Sequence, residues 1–144
     1  MVGSELYKLD DEDARRLVNK AVDLGITLFD TADVYGRGRS EELLGRWLKG
    51  YDVVVSTKVG YDFYHYEKPT RRFDPEYLSW AAARSAERLG RRPDVLMLHN
   101  PPAEAVRKTA PWLKAQGGIL ARCVGAALGP ETYVLEEGLA ALNV

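Results

Sequence analysis

Cysteine, long apolar runs and a basic N-terminal segment are scarce or absent in this sequence. Cys123 is the one cysteine among 144 residues, so an internal disulfide is excluded and a reducing cytoplasm is the expected location. No apolar stretch approaches the roughly 20 residues that cross a bilayer. The residues after Met1 lack the basic and apolar regions of a signal peptide. We therefore expect a protein that is neither secreted nor membrane-spanning.

An excess of charge of either sign is also absent. The formal net charge is −1, with 28% charged and 46% hydrophobic residues. Because no global field would attract nucleic acid or an anionic membrane, the expected partner is a small molecule. Arginine pairs occur at scattered places along the chain, which favours solvated surface over a stripe that binds nucleic acid.

Short apolar runs recur along the chain, and three of them are closed by an ionisable residue. Four runs are predicted as strands. They are Ile26 to Asp30, Val53 to Lys58, Val95 to His99 and Ile119 to Ala127. Helical segments lie between them, and this alternation predicts an α/β fold with a parallel sheet and right-handed crossovers. Such sheets carry their active sites at the carboxyl ends of the strands, where Asp30, Lys58 and His99 would stand.

The first two predicted helices are marked by their ends. Acidic residues from Asp10 onward favour the positive end of the first helix, and Gly25 is suited to close it. The second helix is predicted to begin at Ser40 as its N-cap and to end at Gly50.

The next helical segments are marked by proline. Asp74 followed by proline predicts the start of the third helix, and Gly90 predicts its end. Further on, Pro111 is unfavourable in a helix interior, so a break near Thr109 and two short helices are expected. A last helix through Val134 to Leu142 is predicted by apolar spacing.

Strand periodicity assigns the polar strand ends to one face. Residues two apart in a strand share a face, which places Asp30, Lys58 and His99 together. The other face would then pack against helices. Its apolar residues are Phe29, Val53, Val55, Leu96 and Leu98. Because an unpaired buried charge is unfavourable by several kcal/mol, three polar residues at the end of one face favour a functional site.

The ordered motifs resemble those of the aldo-keto reductase family. The similarity is carried by the segments Gly25 to Gly36, Ser40 to Gly45, Ser56 to Lys58 and Leu98 to Pro101. The resemblance implies a (β/α)8 TIM barrel, a nicotinamide cofactor and an aldehyde or ketone substrate. NADP is the expected cofactor, with NAD left open as the alternative. The resemblance also implies a catalytic set of Asp30, Tyr35, Lys58 and His99, with Asp30 and Asn100 also contacting the cofactor.

Carbonyl reduction requires a hydride at carbon and a proton at oxygen. By this resemblance Tyr35 donates the proton, Lys58 favours the ionised form of the phenol, and Asp30 holds Lys58. His99 would orient and polarise the carbonyl, while the cofactor supplies the hydride. Taken singly, Asp30 and Lys58 are as well explained by a structural ion pair, and Tyr35 by packing. The joint pattern favours catalysis.

The aromatic loop over residues 59–73 is less specific. Its place after Lys58 fits a substrate wall, and packing against another segment fits equally well. His65 in this loop is expected at the surface, with no metal-ligand spacing around it. The segment Gly36 to Gly38 is not a dinucleotide fingerprint, because Glu41 stands at the third glycine position.

Length adds a further expectation, because 144 residues fall short of the roughly 250 of a complete barrel. We expect a single incomplete TIM-barrel domain over residues 1–144, with about four parallel strands. Relative to the family, we expect this sequence to lack the first strand, beyond a remnant at Val2 to Ser4, and the last three βα units, including the segment for the adenosine phosphate. The segment Gly125 to Gly129 also replaces the Ser-Asn pair of many relatives. Two uncovered sheet edges favour self-association.

Two functions are compatible with the sequence. The first is an NADP(H)-dependent oxidoreductase that reduces aldehydes or ketones, favoured by the complete catalytic set. The second is a non-catalytic regulatory or binding protein of the same ancestry, favoured by the lack of a full cofactor site. A bare α/β scaffold is a third alternative, because a fold alone does not imply an activity.

Overall fold

The computed structural model of the protein describes residues 10–115. Several sequence predictions lie outside the described residues. They are the strand remnant at Val2 to Ser4, the strand Ile119 to Ala127, the last helix, Cys123 and the segment Gly125 to Gly129.

Strands and helices alternate along the described part. In chain order they are α1 (Asp11–Asp23), β1 (Leu28–Asp30), a 3-10 turn (Tyr35–Gly38), α2 (Arg39–Trp47), β2 (Val54–Val59), β3 (Tyr61–Asp62), β4 (Thr70–Arg71), α3 (Pro75–Leu89), β5 (Val95–Leu98) and α4 (Ala103–Ala115). The three predicted strands that fall within the described residues are present as β1, β2 and β5, with ends that differ by one or two residues. The strand β1 starts later than predicted because the N–H of Ile26 still donates to the carbonyl of Ala21, at the end of α1 (3.0 Å).

Local capping chemistry sets the start of α1 and both ends of α3, and for α3 both predicted ends are confirmed. The Asp10 side chain accepts a hydrogen bond from the N–H of Asp13 at 2.8 Å, which satisfies a free donor of the first turn. The Asp74 side chain does the same for Tyr77 at 2.9 Å, with proline in the first turn of α3. Gly90 ends α3 in the left-handed conformation.

The prediction that Ser40 is an N-cap is wrong. The helix α2 begins at Arg39, and Gly38 occupies the N-cap position with φ of 95°. The 3-10 turn runs directly into α2, so Ser40 lies inside the helix. Its hydroxyl shares a hydrogen bond with the Thr31 hydroxyl at 2.8 Å.

The predicted break near Thr109 is also wrong. The helix α4 runs continuously over Ala103–Ala115 with Pro111 inside it. Proline removes one backbone hydrogen bond, but tertiary contacts keep this segment in place. The indole N–H of Trp112 donates to the hydroxyl of Ser79 on α3 at 2.7 Å. Packing on α3 therefore overrides the local preference.

The three longer strands form one parallel sheet in the order β1-β2-β5. Asp30 pairs with Ser56, and Lys58 pairs with Met97. This is the arrangement of part of a TIM barrel, and the sheet is open within residues 10–115. The loop after β2 contains a small antiparallel hairpin, in which Tyr61 pairs with Arg71. The sequence did not predict this hairpin.

One face of the sheet packs against helices, as strand periodicity predicted. Two clusters of buried residues form the core. One contains Val59, Tyr77, Leu78, Ala81, Leu96 and Leu98, and the other Leu48, Val53, Val55 and Leu89 with Phe29 packed against it. The opposite face is solvent-exposed where β1 begins, since Leu28 is 60% exposed. At the carboxyl end of β2 on the same face, Lys58 is only 4% exposed. None of the helices in the described part is long and apolar enough to span a bilayer.

Candidate active site

The carboxyl ends of β1 and β2 bring Asp30 and Lys58 into direct contact. The Lys58 ammonium donates to one carboxylate oxygen of Asp30 and, at 2.9 Å, to the carbonyl of Thr31. Ser56 pairs with Asp30 in the sheet, and its hydroxyl donates to the other carboxylate oxygen. The buried cation therefore has a counter-ion and a carbonyl acceptor, which a buried ammonium requires.

Tyr35 reaches this ion pair because the chain continues along β2 after β1 ends. The N–H of Thr31 donates to the carbonyl of Ser56 at 2.9 Å, and that of Asp33 donates to the carbonyl of Lys58 at 3.0 Å. A turn then closes with a hydrogen bond from the N–H of Tyr35 to the carbonyl of Ala32 at 3.1 Å. As a result, the Lys58 ammonium nitrogen lies 5.7 Å from the centre of the Tyr35 ring.

His99 follows β5 and lies next to the same tyrosine. Its backbone N–H donates to the carbonyl of Val59 at 2.8 Å, which extends the sheet pairing by one residue. The His99 and Tyr35 ring centres are 5.7 Å apart, with the rings edge to face. The structure thus places all four residues of the predicted catalytic set at one end of the sheet.

The electrostatics of the site keep His99 uncharged. Burial, followed by the nearby charge of Lys58, lowers the pKa of His99 to about 4. Its Nδ1 atom is buried and makes no hydrogen bond within the part of the chain that the structure describes. At neutral pH this residue is a neutral imidazole.

The two residues predicted at the cofactor are both accessible. The Asp30 side chain is 49% exposed, and Asn100 is exposed immediately after His99. Asn100 has a φ of 50°, a left-handed conformation that asparagine tolerates better than most residues.

The aromatic loop divides into two parts. Tyr61 lies edge-on to His99, with ring centres 5.0 Å apart. That this part of the loop forms a wall of the substrate site stays a prediction. Phe63 is 3% exposed and stacks on Tyr64, with ring centres 3.9 Å apart. The Tyr64 ring also lies edge to face with Trp80, with ring centres 4.6 Å apart. These last rings are packing residues of the loop and α3.

His65 is at the surface, as predicted. Its side chain is 59% exposed, and Nδ1 lies 3.0 Å from both carboxylate oxygens of Asp62. Over residues 10–115, no cluster of His, Cys, Asp or Glu is arranged to hold a metal ion.

Sequence reasoning missed a buried charged cluster beneath the Tyr35 turn. Glu41 is fully buried; it accepts hydrogen bonds from the Thr57 hydroxyl at 2.5 Å and from Nε of Arg88 at 2.7 Å. Asp33 is also fully buried, and neither of its carboxylate oxygens has a hydrogen-bond partner in the described part. Glu41 lies in a motif that the sequence highlighted, but no local pattern links it to Arg88 on another helix.

Comparisons with known proteins agree with this architecture. The profile of the aldo/keto reductase family matches residues 1–143. Versiconal hemiacetal acetate reductase of Aspergillus parasiticus is 33% identical over 123 residues, which cover 71% of this chain and 36% of that protein. The NADP(+) aldo-keto reductase yakc of Schizosaccharomyces pombe is 34% identical over 95 residues, which cover 59% of this chain and 27% of that protein.

A solved structure shows the same fold. The holo form of the aldo-keto reductase AKR11C1 from Bacillus halodurans is similar with a TM-score of 0.64 and 32% identity, over 77% of this chain and 40% of that chain. The present chain thus spans 40% or less of the length of each of these three proteins. Because the family profile matches nearly every residue, the chain belongs to the aldo/keto reductase family.

Proposed function

We propose that this chain carries the catalytic residues for NADP(H)-dependent reduction of aldehydes or ketones to alcohols. The observation that supports the proposal is the convergence of a buried ammonium, a phenol and a neutral imidazole at one end of the sheet. The Tyr35 ring lies 5.7 Å from the Lys58 ammonium and 5.7 Å from the centre of the His99 ring.

In this proposal Tyr35 donates a proton to the carbonyl oxygen of the substrate. Loss of this proton converts the Tyr35 phenol to a phenolate, which the adjacent Lys58 ammonium stabilises. Asp30 and the carbonyl of Thr31 hold that ammonium, so its charge stays close to the tyrosine. The roles agree with the contacts of each side chain.

His99 assists without exchanging a proton. Because burial lowers its pKa to about 4, the imidazole is neutral at the pH where the reaction would run. A neutral imidazole can donate a hydrogen bond to a carbonyl oxygen and polarise it, while Tyr35 remains the proton donor. The edge-on contact with Tyr61 limits the orientations of the ring.

The accessible groups at the sheet end fit a nicotinamide ribose. The Asp30 carboxylate offers acceptors, and the Asn100 amide offers both a donor and an acceptor, which suit hydroxyl and carboxamide groups. When bound, NADPH supplies the hydride. The name of the Schizosaccharomyces pombe relative includes NADP(+), which supports this choice of cofactor.

Turnover and cofactor binding, measured separately, test the proposal. We expect the wild-type chain to bind NADPH, followed by nucleotide fluorescence, and to oxidise it in the presence of an activated aromatic aldehyde. Tyr35→Phe should lower turnover by at least about 100-fold and leave the Kd for NADPH unchanged, because the proton donor alone is removed.

Tyr51→Phe is the matched control, because this tyrosine is 44% exposed and lies outside the site. It should behave like the wild type. Unchanged turnover in Tyr35→Phe would remove this residue from the proton-donor role. Binding of NADPH without turnover would favour the non-catalytic alternative, and no binding at all would contradict the proposal for this chain.

A further inference from the structure

We infer that the buried pair of Glu41 and Arg88 is a positioning device, which holds the turn that carries Tyr35 against β2 and therefore beside Lys58. The inference rests on the proposed function and adds to it two residues that touch none of the predicted catalytic groups. They would act through Tyr35.

The turn needs support from outside because its own conformation is unfavourable. Gly36 and Arg37 both have left-handed backbone angles, with φ of 58° and 54°. Residues other than glycine rarely adopt this region. One support comes from Arg37 itself, whose guanidinium donates to the backbone carbonyls of Phe63 and Glu67 in the aromatic loop.

A second support comes from Arg88 on α3, which lies directly under the end of the turn. A Cβ atom added at Gly38 would stand 2.7 Å from Cδ of Arg88. The backbone of Gly38 therefore rests on the arginine side chain. Any movement of that side chain changes the surface on which the turn lies.

Glu41 fixes the position of the Arg88 side chain. One Glu41 oxygen accepts from Nε of Arg88 at 2.7 Å; the other accepts from the Thr57 hydroxyl at 2.5 Å. Arg88 donates in addition to the Tyr64 hydroxyl at 2.6 Å. Because Thr57 directly precedes Lys58 in β2, the pair ties the turn, α3 and the aromatic loop to the strand that carries the lysine.

The pair is well enough buried to act as a rigid link. The side-chain exposure is 0% for Glu41 and 13% for Arg88. Separating the two charges of a buried ion pair leaves each without a partner, which is unfavourable. Arrangements in which Glu41 and Arg88 stay in contact are therefore strongly preferred. Asp33 stands near this pair, but among residues 10–115 neither of its carboxylate oxygens has a hydrogen-bond partner. The acid that contacts Arg88 is Glu41.

Substitutions at Glu41 and at Tyr64, whose hydroxyl accepts a hydrogen bond from Arg88, test the inference. Glu41→Gln keeps the shape of the side chain and removes its charge; Tyr64→Phe keeps every charge and removes one anchor of Arg88. We expect kcat to fall about 10- to 100-fold in Glu41→Gln and less in Tyr64→Phe, because misplacing a catalytic group affects the chemical step. KM and the Kd for NADPH should change by less than about threefold, and Glu41→Asp should recover part of kcat.

The matched control is Glu87→Gln, which removes an exposed ion pair with Arg84 from the same helix. It should leave kcat unchanged. If Glu41→Gln lowers the stability but leaves kcat as in the wild type, the pair is structural only and the inference is wrong. If Glu41→Gln fails to fold, the same comparison of kcat and stability with the wild type is made with Tyr64→Phe.

A second measurement separates this inference from the proposed function. With 3-fluorotyrosine placed at position 35, the fluorine NMR signal reports the surroundings of that ring without any turnover. Glu41→Gln should shift or broaden the signal, and Glu87→Gln should not. An unmoved signal overturns the positioning role even if turnover falls. If the wild type shows no turnover but the signal moves, the proposed function fails and the positioning of Tyr35 stands.

Discussion

The carboxyl of Asp33 is buried within electrostatic reach of the Glu41 carboxylate, and its burial, reinforced by the charge of Glu41, keeps Asp33 protonated. Burial first, then the charge of Glu41, raises the pKa of Asp33 to about 8 from its ordinary value of 3.8, although Arg88 acts in the opposite direction. Two adjacent buried carboxylates would repel each other, so one holds its proton at neutral pH.

This pKa predicts how stability depends on pH. In the unfolded chain Asp33 loses its proton near pH 4, whereas in the folded protein it keeps the proton up to about pH 8. The folded state therefore binds one more proton across this range, and the Asp33 contribution to the free energy of unfolding falls as pH rises from about 4 to about 8. Asp33→Asn should remove that contribution to the slope.

Urea unfolding at pH 5, 6.5 and 8 measures the difference. The free energy of unfolding of Asp33→Asn, minus that of the wild type, should increase from pH 5 to pH 8, because only the wild type loses the Asp33 contribution. Asp23→Asn, a change at an exposed position of α1, is the control and should keep the wild-type slope. Parallel curves for Asp33→Asn and the wild type would contradict protonation of the buried acid.

The contrast between Lys58 and Arg88 shows what the sequence could predict. Lys58 closes an apolar run, and the strict alternation of a strand fixes its face, so its meeting with Asp30 at the sheet end was predictable. Arg88 lies on an amphipathic helix, where a charged residue is expected at the surface. Its contact with Glu41 joins two helices that are far apart in sequence, and such a pairing leaves no local periodicity.

The break wrongly expected near Thr109 has a related cause. Local preference alone would end α4 before Pro111, but the hydrogen bond from Trp112 to Ser79 keeps the following turn on α3. Contacts between helices decided the outcome, and no short window of sequence contains them. Family resemblance, by contrast, identified Tyr35, because a turn residue has no periodic signal of its own.

The uncharged state of His99 gives a prediction for NMR. Because its pKa is about 4 in the folded protein, below its ordinary value of 6.5, the ring signals should not titrate between pH 5.5 and pH 8. The depressed pKa also means that the stability contributed by the neutral ring is present above pH 6.5 and is lost as pH falls towards 4.

The chain contains two histidines, so the assignment is direct. In His65→Gln the remaining imidazole signals belong to His99, and their shifts are followed from pH 8 to pH 3.5. A midpoint near 6.5 would contradict the buried, neutral ring. A midpoint close to 4 would support the role in which His99 polarises the carbonyl and Tyr35 donates the proton.

The close contact of α2 with α3 predicts that Gly45→Ala destabilises the fold. A Cβ atom at Gly45 would lie 2.5 Å from the carbonyl oxygen of Leu89 and 2.7 Å from that of Arg88. Alanine in a helix interior is ordinarily favoured over glycine by up to about 1 kcal/mol. Here the methyl group meets backbone atoms, which cannot rotate away, so one helix must shift.

We expect Gly45→Ala to lower the free energy of unfolding by about 1–3 kcal/mol, the range of overpacked cores. Urea unfolding at fixed pH measures the change, with Glu42→Ala at an exposed position of the same helix as the control. Because Arg88 lies on the displaced segment of α3, kcat of the folded variant should fall as well. Greater stability with unchanged kcat would show that α2 and α3 separate freely, which would contradict a rigid link between α3 and the Tyr35 turn.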